Sequence, residues 1–550
     1  MPNICPPNVG GSCFSAADDS SDGWGTVPDV PYTDLYFGMS DSKNEVNEDP
    51  ENFVRSFVDL SNATGALLSG GKFLVLGPKG TGKSALAWYL QASEAAGPHR
   101  AMVRDASSLP LDEVPRLQTG QKAGPERTVI AWKFILLCNY LELLLADNEC
   151  SFEKPREVKR VAKLLRSFGF MGDASGRALL KASTTTITIP IPKMGEIYKR
   201  EFKTELNIYS LVPYLESWVA DAYSEQRHVL ILDGLDSIFL NDLHYDESLA
   251  SLVQAAYDLN QKFRERESCG SIVLLLRNDV FARIALSLPD SQKMRDDLSF
   301  DLDWRVLSGD AGVRAPLMRL VNAKAARALG TSAVDVLGYF PAEIHVGKRT
   351  QPKGIPTFQY LLNMTRHTPR DLLRIFEEIR KVEAAGVFEP SGDVLSDEVI
   401  REGVLQYSTK YFVGAIQNEF AGYEDGPERP KAALAALQSL SKQRFDRAEF
   451  QTALNEAAGE VAKDTDRLLR LLFFAGAIGN ATGMPGKSYM HFYHRREESE
   501  IYLKGVFILH NALIHAWGMA RTTPRSAAAP ATSATPRPRV RTRGGRESFS

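Results

Sequence analysis

The chain has 550 residues, 65 Lys and Arg against 68 Asp and Glu, and a formal net charge of −3. That length leaves room for two to four domains, and the charge excludes a polycation built for unconditional, tight DNA binding. Hydrophobic content of 44% and charged content of 24% are ordinary for a soluble globular protein. Cys5, Cys13, Cys138, Cys150 and Cys269 are scattered with no C-x-x-C pair, which argues against a zinc site or a disulfide framework and for a reducing, cytoplasmic setting.

In chain order, residues 1 to about 30 are rich in Gly, Ser, Asp and Pro and read as a disordered N-terminus. The start, MPNICPPNVGGSC, lacks the basic and apolar parts of a signal peptide. No run is expected to reach the roughly 18 apolar residues of a membrane span, so no membrane partner is expected. From 31 to 310, apolar strands alternate with amphipathic helices, which predicts an α/β domain with a mostly parallel sheet. Its strands are Lys72–Leu76, Ala101–Arg104, His228–Leu232 and Ser271–Leu276. Its helices are Thr128–Ala146, which is apolar and read as buried, Leu211–Ser224 and Glu247–Arg266. Residues 150–206 read as an insertion, with STTTITIPIPKM as an edge strand or hairpin.

The first strand runs into Gly77-Pro78-Lys79-Gly80-Thr81-Gly82-Lys83-Ser84, which matches G-x-x-x-x-G-K-[ST] at every fixed position. Glycines there let backbone N–H groups, through Ala85, point at phosphate oxygens. Lys83 would reach the β- and γ-phosphates of ATP, and the Ser84 hydroxyl would ligate Mg²⁺. The helix that follows adds a favourable dipole.

RHVLILDGLDSIF carries a second signature. Asp233 ends an apolar strand, where ligands bind at the tips of parallel strands, and it would hold Mg²⁺ together with Ser84. Asp236 is the next carboxylate, read either as a general base for the attacking water or as a helix N-cap. SIVLLLRNDVF ends in Arg277-Asn278-Asp279. If this strand lies beside that of Asp233, Arg277 faces the same crevice and either reads a γ-phosphate or pairs with Asp279 or Asp297. In HTPRDLLRIFEEIRK, Thr368 caps a helix and Pro369 opens it, so Arg370 sits on the first turn, as a phosphate contact from a lid or as a surface arginine.

Helices then continue alone through 311–425, a helical lid region. Residues 426–520 read as a winged-helix-like domain, with helices at Ala432–Ser441, Arg447–Ala458 and Asp464–Ala475 and a wing in SYMHFYHRR. Arg467 and Arg470 are its candidates for reading DNA, opposed by Asp464, Asp466 and the acidic run Glu497–Glu500, which favour a protein-docking role. His491 and His494, three apart on the wing strand, read as one buried and one exposed side chain rather than a metal site. Residues 521–550 form a disordered basic tail with seven arginines and one glutamate.

Taken in order, YFGMSDSKNE (Tyr36–Glu45), GPKGTGKSA, LILDGLD, LLLRNDVF, DLSFDLDW (Asp297–Trp304) and TPRDLL make the chain resemble bacterial P-loop ATPases near the STAND/NACHT and AAA+ groups, of the kind found in phage-defence loci. The resemblance spans roughly residues 33–380. It implies that Asp233 is the Walker B carboxylate, Arg277 a sensor-like arginine and Arg370 a second-sensor-like arginine. Many AAA+ ATPases carry Glu after the Walker B Asp. Here that position is Gly234, so turnover is expected to be slow and Asp236 must supply the base.

These readings lead to a cytoplasmic, Mg²⁺-dependent ATP switch that homo-oligomerises and controls a separate effector in antiviral defence or a stress response. Arg295, Arg305 and Arg314 are the candidates for an arginine finger acting in trans. Two alternatives stand beside it: a DNA-handling ATPase of the initiator or loader type using the winged helix and the Arg-rich tail, and a non-hydrolysing nucleotide-bound scaffold.

Overall fold

The structure is a computed structural model that describes residues 30–109, 125–167, 169–172, 208–235, 243–305, 315–330, 334–346, 353–389, 394–420, 428–458, 464–484, 487–495 and 500–519. The N-terminal stretch before residue 30, STTTITIPIPKM, Asp236, Arg314, most of the acidic run Glu497–Glu500 and the C-terminal tail lie outside the described residues.

Five strands form a parallel sheet in the order β2–β3–β4–β1–β5: β1 (Leu74–Leu76), β2 (His99–Asp105), β3 (Arg227–Asp233), β4 (Gly270–Leu276) and β5 (Ser299–Asp301). The strands read as continuous apolar runs because both faces of the sheet are covered. Alternate residues point to opposite faces. Leu230, Leu232, Ile272 and Leu274 face a core shared with helices Pro125–Ala146, Ile208–Ala220 and Leu243–Glu265. Val229, Ile231, Val273 and Leu275 face Leu86, Ala87 and Leu90 of helix Lys83–Ala92. β5 was not foreseen, since three residues in a polar context give no periodicity to read.

The expectation that no stretch is long and apolar enough to span a membrane needs correction. Thr128–Ala146 passes that test by length and composition. In the fold it is a core helix. Its apolar residues run all the way round because it is packed on helices Ile208–Ala220 and Leu243–Glu265 and on the sheet, with Trp132, Tyr140 and Leu141 fully buried.

After the sheet, helices Pro316–Leu329, Pro369–Ala384, Asp397–Gln406 and Val413–Glu419, with a π-helical turn at Tyr407–Phe412, build a second core. A hairpin of β6 (Glu343–Val346) and β7 (Lys353–Pro356) lies beside them, so this region is not built of helices alone as expected. Tyr32, Leu35 and Phe37 from the start of the described chain belong to this core, so the N-terminal segment is clamped by the helical region rather than by the sheet. The C-terminal unit has helices Glu428–Ser439, Arg447–Ala458 and Thr465–Phe474 and an antiparallel sheet in the order β10–β9–β11–β8. These strands are β8 (Arg444–Phe445), β9 (Ile478–Met484), β10 (Lys487–His491) and β11 (Val506–Leu509).

Where the helical region meets this unit, His367, His494 and His510 gather with Phe412 and Phe492. Burial, with Arg495 beside them, pushes the imidazoles of His367 and His510 down to about 3, and burial also drives His494 well below its usual value. These rings are neutral when folded, whereas the unfolded chain takes up protons below pH 6.5. Stability is therefore lost as pH falls from about 6.5 toward 3, by about 2 kcal/mol at pH 5 for each of the two rings held near 3. The urea midpoint is expected to drop between pH 7 and pH 5, and to drop less in His494→Phe. A midpoint that does not move would show that these histidines do not stay neutral.

Candidate functional site

Because β4 lies between β1 and β3, the tips of these three strands are neighbours. Leu274 pairs with Leu74 on one side and Leu232 on the other. The loop after β1, Asp233 at the end of β3 and Arg277 after β4 are therefore brought to one edge of the sheet, where ligands of parallel sheets bind.

The loop is held from several sides. Lys83 is buried, and its ammonium donates to the carbonyls of Gly77 at 2.8 Å and Pro78 at 3.0 Å. Thr81 Oγ1 donates to Pro78 O at 2.9 Å. The indole of Trp304 donates to Thr81 O at 2.8 Å, and Leu302 N donates to Leu76 O at 2.8 Å. The segment Asp297–Trp304 thus forms β5 and then backs the loop. Gly80 has φ +85°, and a Cβ there would lie 3.4 Å from Arg370 Cβ and from Thr368 Oγ1. The left-handed backbone favours glycine there, whereas a Cβ would stand at ordinary van der Waals distance from these two side chains.

Lys79 to Ala85, Asp233 and Arg370 line one cavity of about 470 Å³. Its other walls are Phe37–Ser40 of the N-terminal segment, Phe57–Leu60, and helix Pro369–Ala384. Arg370 N donates to Gly80 O at 3.4 Å, so the first turn of that helix sits on the loop. Asp233 Oδ1 accepts from Gly234 N at 2.8 Å. Gly234 itself has φ +77°, a conformation in which a glutamate would be strained, so the backbone as well as the side chain departs from an Asp-Glu pair. Glycine-rich turns, a buried lysine and a helix N-terminus suit a phosphorylated ligand, and Ser84 with Asp233 in the same cavity suits a hard divalent cation.

Arg277 does not line this cavity. It borders a second, smaller one with Pro78, Lys79 and Asp279. Its guanidinium forks onto Asp279 at 2.9 and 2.8 Å and reaches Glu419 at 2.9 Å. Burial works to raise the Asp279 carboxyl, but the charge and hydrogen bonds of Arg277 outweigh it and hold it below the usual range. Glu419 also meets Arg366 at 3.3 Å, and Arg366 in turn forks onto the fully buried Asp371. Glu419 escaped the sequence reading because nothing local marks it.

Glu45 and Lys324 were also missed as a pair. Glu45 stands in the YFGMSDSKNE stretch, and Lys324 Nζ donates to it at 2.8 Å and to Ser56 Oγ at 3.1 Å. Both side chains are buried beside the large cavity. Arg295 pairs with Asp301 and Arg305 with Asp303. Arg467 and Arg470 lie exposed on helix Thr465–Phe474, while Asp464 pairs with Arg429 and Asp466 with Arg447. His494 is buried and His491 half-buried.

No family model and no curated protein matches the chain. Among solved structures it is similar to the crystal structure of Cdc6p from Pyrobaculum aerophilum, at 11% identity over 84% of this chain and 94% of that one. The TM-score is 0.29. The parallel five-stranded sheet with its glycine-rich loop fits a P-loop NTPase on the chain's own geometry.

Proposed function

We propose that this chain is a Mg²⁺-dependent ATP-binding switch of slow turnover that assembles with itself and controls a separate effector protein, in bacterial defence or a stress response. The observation that carries the reading is the convergence of the phosphate loop, Asp233 and Arg370 on one cavity. Phosphate held by the loop would then touch the helical region directly, which is what a switch requires. The resemblance to STAND/NACHT and AAA+ ATPases supports the biological setting. In this reading Ser84 and Asp233 hold Mg²⁺, Arg277 and Arg370 answer to phosphate, and Asp236 orients the attacking water. Residues 311–425 act as a lid and 426–520 as a winged helix. Arg295, Arg305 or Arg314 serves a neighbouring protomer.

A second reading, a DNA-handling ATPase, draws support from Arg467 and Arg470, since their acidic neighbours are neutralised by Arg429 and Arg447. A third, a non-hydrolysing scaffold, draws support from Gly234.

The test combines Mg²⁺-ATP and ADP titration with single-turnover phosphate release on the wild type and Asp236→Asn. Wild type is expected to bind both nucleotides and release phosphate slowly. Asp236→Asn is expected to bind equally and release phosphate about 100-fold more slowly, the size of a general-base contribution. Failure to bind either nucleotide would end the reading. Binding without release would favour the scaffold, and a salt-dependent DNA shift the DNA-handling ATPase.

A further inference from the structure

The C-terminal end of helix Val413–Glu419 reaches across to the strand tips and holds two cations of the site. Glu419 takes Arg277 at 2.9 Å, and the carbonyl of Asn418 accepts from Lys79 Nζ at 3.2 Å. One cation belongs to the phosphate loop and the other to the tip of β4, yet they converge on adjacent residues of one helix end. That end offers a nearly buried carboxylate together with carbonyls at the negative pole of the helix. Glu419 also meets Arg366, whose fork onto Asp371 fixes the start of helix Pro369–Ala384, and Arg370 of that helix sits on Gly80. The small cavity among Pro78, Lys79, Arg277 and Glu419 is about 30 Å³, so the helix end fills this side of the loop.

We infer that the Asn418–Glu419 end is an internal anion that occupies the phosphate side of the site, and that a terminal γ-phosphate takes Lys79 and Arg277 over from it. The inference rests on reading the cavity as a nucleotide site. ADP, seated on the loop amides and Lys83, lacks the group that would compete for these two cations, whereas ATP brings it. A phosphate oxygen is a strong charge-assisted acceptor for both an ammonium and a guanidinium. Once they are taken, Glu419 keeps Arg366, and helix Val413–Glu419 is released from the loop. The nucleotide state is thereby passed to the helical region and to Phe474–Gly476 and Tyr493 of the C-terminal unit, which line the same small cavity.

The experiment is hydrogen exchange of the segment 413–420 in the full chain with Mg²⁺ and saturating ADP or a hydrolysis-resistant ATP analogue, beside binding titrations of both. In the wild type the segment is expected to stay protected with ADP and to exchange about tenfold faster with the analogue. Glu419→Gln keeps the size and removes the charge. It is expected to tighten the analogue about tenfold relative to ADP, the size of a typical coupling between two sites, and to exchange fast with either ligand. Equal protection with both bound ligands in the wild type would overturn the latch, while leaving the nucleotide site standing. Tight binding with an unchanged preference in Glu419→Gln would overturn it as well. If neither nucleotide binds, the reading of the site falls and the latch with it. The wild-type comparison needs no variant, so it decides the matter if Glu419→Gln does not fold.

Discussion

Lys83→Ala is expected to cut affinity for ATP and ADP by about 100-fold or more. A hydrogen bond to a charged group contributes about 1.5–3 kcal/mol, and each 1.4 kcal/mol is tenfold in affinity. The ammonium now rests on the carbonyls of Gly77 and Pro78, two acceptors of the loop itself. Phosphate oxygens are stronger partners, so the lysine exchanges weak acceptors for strong ones on binding. Removing it leaves two carbonyls without this donor. Thr81 still donates to one of them, and Trp304 still holds the loop from behind. The fold should therefore survive, with a melting temperature within a few degrees of the wild type. Calorimetric titration checks the affinity and circular dichroism the fold. Undiminished affinity would move the phosphate site away from this loop.

The second large effect is on stability. Glu45→Ala should destabilise the protein by about 3–5 kcal/mol, the usual cost of leaving one member of a buried ion pair alone. Lys324 is buried under the ring of Phe53, with Nζ 4.9 Å from its centroid, and among the described residues Ser56 Oγ would remain as its hydrogen-bond acceptor. Burial already pulls the Lys324 ammonium below its usual range, and Glu45 works against that pull. Arg327 adds a second cation at 3.8 Å from Glu45, which raises the cost of losing the carboxylate. Replacing both partners, Glu45→Met with Lys324→Met, should recover most of the loss, because an apolar pair of similar volume strands no charge. Urea unfolding of the single and double variants checks this. A double variant no better than Glu45→Ala would assign the loss to packing around Phe37 and Gly38 instead.

What could be read along the chain was what is local to it. The loop Gly77–Ser84 is eight consecutive residues, and its backbone geometry is set by its own glycines, so its place after β1 and before a helix followed directly. Asp233 was legible for the same reason, as a carboxylate closing an apolar run. Thr368 and Pro369 marked a helix start, and Thr368 Oγ1 does accept from Asp371 N. Tertiary structure decided the rest, because it concerns residues that meet only after folding. Whether Arg277 faces the loop depended on β4 lying between β1 and β3, an order that strand periodicity does not encode. The partner that holds it, Glu419, arrives from a different core and carries no local mark. Thr128–Ala146 showed the limit most plainly: an apolar run reports that a helix is buried on all sides, and only the packed fold says whether protein or lipid surrounds it. A sequence can specify groups that are adjacent along the chain, while the charge that each group faces is set by which elements the hydrophobic cores bring together.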